Sequence, residues 1–196
     1  MFKKFLTVSS FLLISIFCNA QSNDIAFSVG GVFSPHASPS NIACIQVVGQ
    51  PCGGGTFQTK TAVAYEGTLA HRLLNLHLAS LHLELPILGT PNRDISGVLR
   101  GSYSSVFVTP GLRLKVSLPG FSPFVSVGGG LAHFSALGAG SGNTTGAFQV
   151  GGGVDVRTPI PLIGLRAEVR EFLTGQPNFS TNNQNLFVGG GIVLKF

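Results

Sequence analysis

The chain has 196 residues, of which 44% are hydrophobic and only 10% charged, with 27 glycines, no tryptophan and a formal net charge of +5. That composition is too apolar for a disordered chain, and its glycines lack the three-residue period of collagen. So few charges point to a surface solvated largely by something other than water.

Residues 1–20 carry Lys3 and Lys4, then an apolar run from Phe5 to Phe17, then small residues at Cys18 and Ala20. This is the pattern of a secretory signal cleaved after Ala20, leaving residues 21–196 as one domain. Bulky Phe17 before Cys18 disfavours a lipoprotein reading. Without Lys3 and Lys4 the net charge falls to +3, and no Lys/Arg run remains to track a phosphate backbone, so nucleic acid is not an expected partner. Past Ala20 no stretch approaches the roughly 18 to 20 apolar residues of a spanning helix. Cys44 and Cys52 lie in a Gly/Pro-rich segment of an exported chain, which suggests a disulfide closing a small loop. The nearby His36 completes no tetrahedral set, and neither a metal nor a cofactor is expected.

The remainder reads as eight period-two runs: 24–34, 61–73, 76–87, 102–117, 123–135, 146–157, 163–174 and 185–196. Each is long enough to cross a bilayer as a tilted strand. Long polar inserts fall at 34–60, around Pro91-Asn92-Arg93, at 140–143 and at 176–184. Short turns fall at Leu74-Asn75, Pro119-Gly120 and Thr158-Pro159. Long and short connections therefore segregate to opposite ends of an antiparallel up-and-down meander, with both termini at the short-turn end.

Parity assigns the faces. In the last run Leu186, Val188, Gly190, Ile192, Leu194 and Phe196 share one side, and Asn185, Phe187, Val193 and Lys195 the other. Leu165, Ala167 and Val169 alternate with Arg166, Glu168 and Arg170; Val150, Val154 and Val156 alternate with Gln149, Asp155 and Arg157; Leu112 and Leu114 flank Arg113, ahead of Lys115. Glu66 and Arg72, and then His82 and Glu84, continue the pattern. The charges sit on strand faces and hardly at all on loops, contrary to a soluble sandwich, and the expected fold is an all-β eight-stranded transmembrane barrel, apolar outside.

Inside so narrow a barrel there is room for side chains but hardly for a continuous channel. Glu66, Glu84, Asp155 and Glu168 are expected to pair with Arg113, Arg166 and Arg170, because an unpaired charge there is costly. VGGG recurs at 127–130, 150–153 and 188–191. Alternation resumes directly after each triplet, so these are strand glycines and not a phosphate-cradling loop. They should leave space beside Arg113, Arg166 and Arg170 and permit strong curvature.

The terminal NLFVGGGIVLKF, with Val188, Ile192, Leu194 and Phe196 on one face, resembles the C-terminal signature of bacterial outer-membrane β-barrels. With the signal peptide, the eight-run layout and PFVSVGGGLAHF, essentially the whole mature chain resembles the small OmpA/OmpX-type barrels. The resemblance implies an outer-membrane location, contact with outer-membrane lipids and lipopolysaccharide, insertion by the barrel-assembly machinery reading that last strand, and a monomer. Members usually wear Trp/Tyr girdles, whereas here only Tyr65 and Tyr103 are available, so phenylalanines are expected to fill the belt.

His133-Phe134-Ser135 resembles the His-x-Ser element of outer-membrane lipid A deacylases, in which serine is the nucleophile and histidine its base. The acid that such a site needs shortly downstream is missing: none occurs between Ser135 and Asp155, and Glu171 is two strands away. The expected function is a non-enzymatic barrel with a plugged polar interior and exposed loops for structural or surface contacts. A deacylase-like enzyme at His133 and Ser135, or a narrow porin-like pore for small solutes, stands as the alternative.

Overall fold

A computed structural model describes residues 23–34, 57–76, 78–97, 101–135, 142–175 and 183–196. The residues 1–20 read as a signal, His36, and the Cys44 and Cys52 pair lie outside them. The alternating runs form ten strands: β1 (Asn23–Phe33), β2 (Phe57–Thr59), β3 (Ala62–Leu76), β4 (Ala79–Gly97), β5 (Gly101–Val108), β6 (Gly111–Val116), β7 (Phe121–Phe134), β8 (Asn143–Arg157), β9 (Ile163–Thr174) and β10 (Asn183–Lys195). No described residue is helical.

All pairings are antiparallel, and the ladder closes on itself. Strands β2 and β3 share one edge of β4, while β5 and β6 both lie between β4 and β7, so the ten segments make eight staves. The break between β5 and β6 falls at Thr109-Pro110, where proline has no N–H to give to the ladder. Thr109 N still donates to Pro86 O (3.3 Å), and Gly129 N to Pro110 O (3.0 Å), which carries the stave across the gap. The ring is sealed between β1 and β10, where Asn23 and Phe196 exchange backbone hydrogen bonds of 2.9 and 3.0 Å.

Several boundaries differ from the sequence reading: β2 lies inside the insert read at 34–60, and β8 begins at Asn143, inside the one read at 140–143. The first short turn is not at Leu74-Asn75; β3 runs on to Leu76, and Leu78 N bonds back to Leu76 O. An extra residue at Leu73, between the pairs Arg72↔His82 and Leu74↔Leu81, shifts the register there and lengthens the stave. Nor is Pro91-Asn92-Arg93 a loop, because β4 passes straight through it. From Thr90↔Ser105 to Arg93↔Tyr103 the strand advances three residues against two on its partner, a bulge that accommodates Pro91 without a ladder bond. Only residues 98–100 connect β4 to β5.

At the short-turn end the chain reverses through Gly120, whose φ of 86° suits glycine, and Leu162, which holds φ 71° despite its side chain. Thr158 Oγ1 donating to Ile163 O (2.6 Å), and Lys195 N donating to Leu162 O (2.9 Å), fix that second turn.

The faces follow the predicted parity. Val125, Val127, Val150, Leu165, Val169, Val188, Ile192 and Leu194 all point outward and are exposed, while Glu66, Glu84, Arg113, Asp155, Arg166, Glu168 and Arg170 are buried within the ring. A surface this apolar around a charged core is that of a barrel in a bilayer.

Candidate functional site

The lumen is built in two tiers. Toward the short turns lies a continuous polar network. In β8 and β9, Asp155 and Arg166 are direct cross-strand partners, and Arg166 Nε and Nη2 donate to Asp155 Oδ1 and Oδ2 at 2.7 and 3.1 Å. From β6, Lys115 Nζ reaches across to the same carboxylate (2.6 Å) and to Asp24 on β1 (3.2 Å). One level further in, Arg170 faces three carboxylates: Glu66 at 2.9 Å, Glu84 at 2.9 Å and Glu168 at 3.1 Å. Arg113 Nη2 is 2.5 Å from Glu84, and Ser28 Oγ donates to Glu168 (2.5 Å). The Phe124 ring joins the two clusters, with the Arg113 guanidinium 4.6 Å and that of Arg166 4.8 Å from its centroid.

All seven charges predicted for the interior are therefore brought together. Asp24 and Lys115 belong to the network as well, and pairing across a lumen, between residues 91 apart in sequence, leaves no local signal in the chain. Ser126, placed by the same alternation, accepts from Arg170 (3.2 Å) and from Gln149 (2.9 Å).

The upper tier is apolar. Val32, Leu88, Phe107, Phe172 and Phe187 are fully buried there, with Ala64, Ala132, Ala147, Tyr103 and Phe134 around them. Phe107 packs edge-on to Phe134 (5.7 Å between centroids) and tilted against Phe172 (5.0 Å). The interior is thus only half polar. Phenylalanine divides differently from the sequence expectation: Phe27, Phe33, Phe121 and Phe148 face outward, but Phe107, Phe124, Phe134, Phe172 and Phe187 fill the lumen. Inward parity put them there, where they bury more area than an interfacial belt would allow.

Above the aromatic tier sits Arg93, 1% exposed. Its guanidinium donates to Asn185 Oδ1, Ser34 Oγ (2.6 Å) and Lys60 O (3.3 Å). Simple alternation from Thr90 would have turned it outward; the extra residue of the bulge points it in.

The glycine triplets flank β9 on both sides. Gly151 and Gly153 of β8 lie opposite Arg170 and Glu168, and Gly189 and Gly191 of β10 lie opposite Glu168 and Arg166. A β-carbon at Gly153 would come within 2.9 Å of Glu168 Cβ and 2.7 Å of the Phe124 ring. The predicted space is present beside Arg170, where a β-carbon on Gly151 would meet its Cγ at 2.7 Å, whereas one on Gly191, opposite Arg166, would meet the β1 backbone at Phe27 and Ser28. Arg113 differs, since its cross-strand partners are Ser126 and His82 rather than glycines.

His133 and Ser135 both lie on the outer side of β7. His133 Nδ1 bonds Thr144 Oγ1 on β8 (2.8 Å), and Ser135 Oγ accepts from Ser104 N on β5 (2.8 Å), so each is tied to a different neighbouring strand. Asp155 sits opposite Ser122, eleven residues from His133, and the ladder from Glu171 leads through Val150 to Val127, six residues away. Neither of these acids is brought to the pair, and none of the described residues form a cluster suited to a metal ion.

No family model and no curated protein matches the sequence. Solved structures do match in shape. Neisserial surface protein A superposes with a TM-score of 0.58 at 14% identity, over 90% of this chain and 98% of its own. OprG, an outer-membrane protein of Pseudomonas aeruginosa, gives 0.53 at 13%, over 90% and 98%, and the N-terminal β-barrel domain of OprF from the same organism gives 0.50 at 15%, over 91% and 100%. The fold is that of the small outer-membrane β-barrels. In this barrel the last strand carries the expected lipid-facing residues Val188, Ile192 and Leu194, and Phe196 ends it at the closing seam.

Proposed function

We propose that the protein is a non-conducting, non-enzymatic barrel of a bacterial outer membrane, which holds its four longer-end connections at the cell surface for structural or surface-contact roles. The observation that carries this reading is the apolar tier of Phe107, Phe172, Phe187, Leu88 and Val32, all fully buried across the lumen above the ion pairs. Water and ions would have to dewet and displace packed rings to pass. A likeness to a protein described as a surface protein agrees with this role.

The test is reconstitution of the purified barrel in planar bilayers. The expected result is no conductance steps from the natural sequence, and steps from a Phe172→Ala/Phe187→Ala variant. Stable unitary conductance from the natural sequence would overturn the reading in favour of a narrow pore. Loss of an acyl chain from lipid A on expression, abolished by Ser135→Ala, would overturn it in favour of an enzyme.

A further inference from the structure

Between the polar network and the short turns the lumen opens into a vestibule of about 380 Å³. Five strands bring basic groups to its wall: Arg72 from β3, His82 from β4, Lys115 from β6, Arg157 from β8 and Lys195 from β10. Asp24 is the carboxylate on that wall, and Lys115 already engages it. Arg72, Arg157 and Lys195 form no salt bridge with a carboxylate among the described residues. His82 is a second, independent mark. It is 5% exposed, its Nε2 bonds Ser80 Oγ at 2.9 Å, and its buried Nδ1 has no hydrogen-bond partner. A buried polar nitrogen without a partner carries a desolvation cost that a ligand would relieve.

We infer that this vestibule binds a phosphoryl group presented at the short-turn end of the barrel. Cations converging from several strands suit a compact, multiply charged group whose oxygens radiate in several directions, more than a carboxylate with its two coplanar oxygens. The hydroxyls of Ser117 and Ser122 on the same wall add neutral donors. Apolar lining comes from Ile160 and Leu162, 59% and 60% exposed, on the turn between β8 and β9. The phosphoryl group can belong to a lipid headgroup or to a soluble phosphate ester, since both share the recognised chemistry.

The mature barrel, refolded in maltoside micelles and phosphate-free buffer, is titrated with inorganic phosphate, with glycerol 3-phosphate, and with phosphatidylglycerol added to the micelles, while the His82 ring nitrogens are followed by NMR. A saturable His82 shift is expected with at least one probe, with apparent affinity at least fivefold weaker in Arg157→Gln/Lys195→Gln. A response to the soluble probes identifies a phosphate ester as the source. Response to phosphatidylglycerol alone identifies a lipid headgroup. Should the double variant fail to fold, Arg157→Gln, at an exposed rim position, replaces it and must weaken binding by at least twofold. No saturable shift with any probe, or an undiminished one in the folded variant, overturns the inference.

Discussion

Gly151 stands directly opposite Arg170, and a β-carbon on that glycine would come within 2.7 Å of the arginine's Cγ. The arginine that three carboxylates share can lie flat against the wall only because its neighbour on β8 has no side chain. Gly151→Ala is therefore expected to destabilise the barrel by roughly 1–3 kcal/mol through overpacking. Gly146→Ala, where an added β-carbon meets nothing within 4 Å, should be near neutral. Urea midpoints in the same lipid compare the two, and equal midpoints would contradict the packing account.

Val150 faces outward midway along β8, whereas Leu78 lies in the turn between β3 and β4. An arginine on the lipid face costs roughly 2–4 kcal/mol at the bilayer midplane and about 0–1 near the interface. Val150→Arg should accordingly lower the unfolding free energy by the larger amount and Leu78→Arg hardly at all. Reversal of that order in refolding titrations would mean that the inward and outward faces of β8 have been exchanged.

Glu168→Gln keeps the shape but removes one of the three carboxylates facing Arg170. Ser28 can still donate to the amide oxygen, and Glu66 and Glu84 remain beside the guanidinium, at 2.9 Å each. A loss of about 1–3 kcal/mol is expected, less than for an ion left wholly unpaired. Planar-bilayer recordings should remain silent, because the aromatic tier is untouched. Conductance appearing with unchanged stability would assign Glu168 to a gate instead.

Phe196 bonds Asn23 through its backbone and ends the lipid-facing row of β10. Phe196→Asp puts a charge at that seam and is expected to reduce heat-modifiable barrel in the outer membrane several-fold while export continues. Fractionation and gel mobility measure both, and normal barrel levels would refute a role for this residue in assembly.

What the sequence disclosed, and what it withheld, divides at the bulges. Strands β9 and β10 pair without interruption from Ile163↔Leu194 to Thr174↔Asn183, so period two alone places Arg166, Glu168, Arg170 and Val193 inward and Leu165, Val169 and Ile192 outward. In β4 one extra residue after Thr90 reverses the parity, so that Arg93, which reads as loop in the sequence, is a buried strand residue. Lys115 could be assigned to the inner face by alternation, but its partners Asp24 and Asp155 come from strands on other sides of the ring. Closure geometry, absent from any local window, makes those pairs. The same holds for the aromatic tier, since alternation gives the side a phenylalanine faces but not the height at which rings from β5, β9 and β10 meet.

The mutual hydrogen bonds of Asn23 and Phe196 make the fold nearly endless: the first strand starts and the last strand stops at adjacent points of one rim. A linker of a few residues could join them without moving either strand, and the chain could then be opened at a longer connection instead. Such a permuted barrel would keep every ladder and ion pair while placing its new ends on the opposite side of the membrane. Whether it inserts would separate what the finished architecture requires from what the order of synthesis requires.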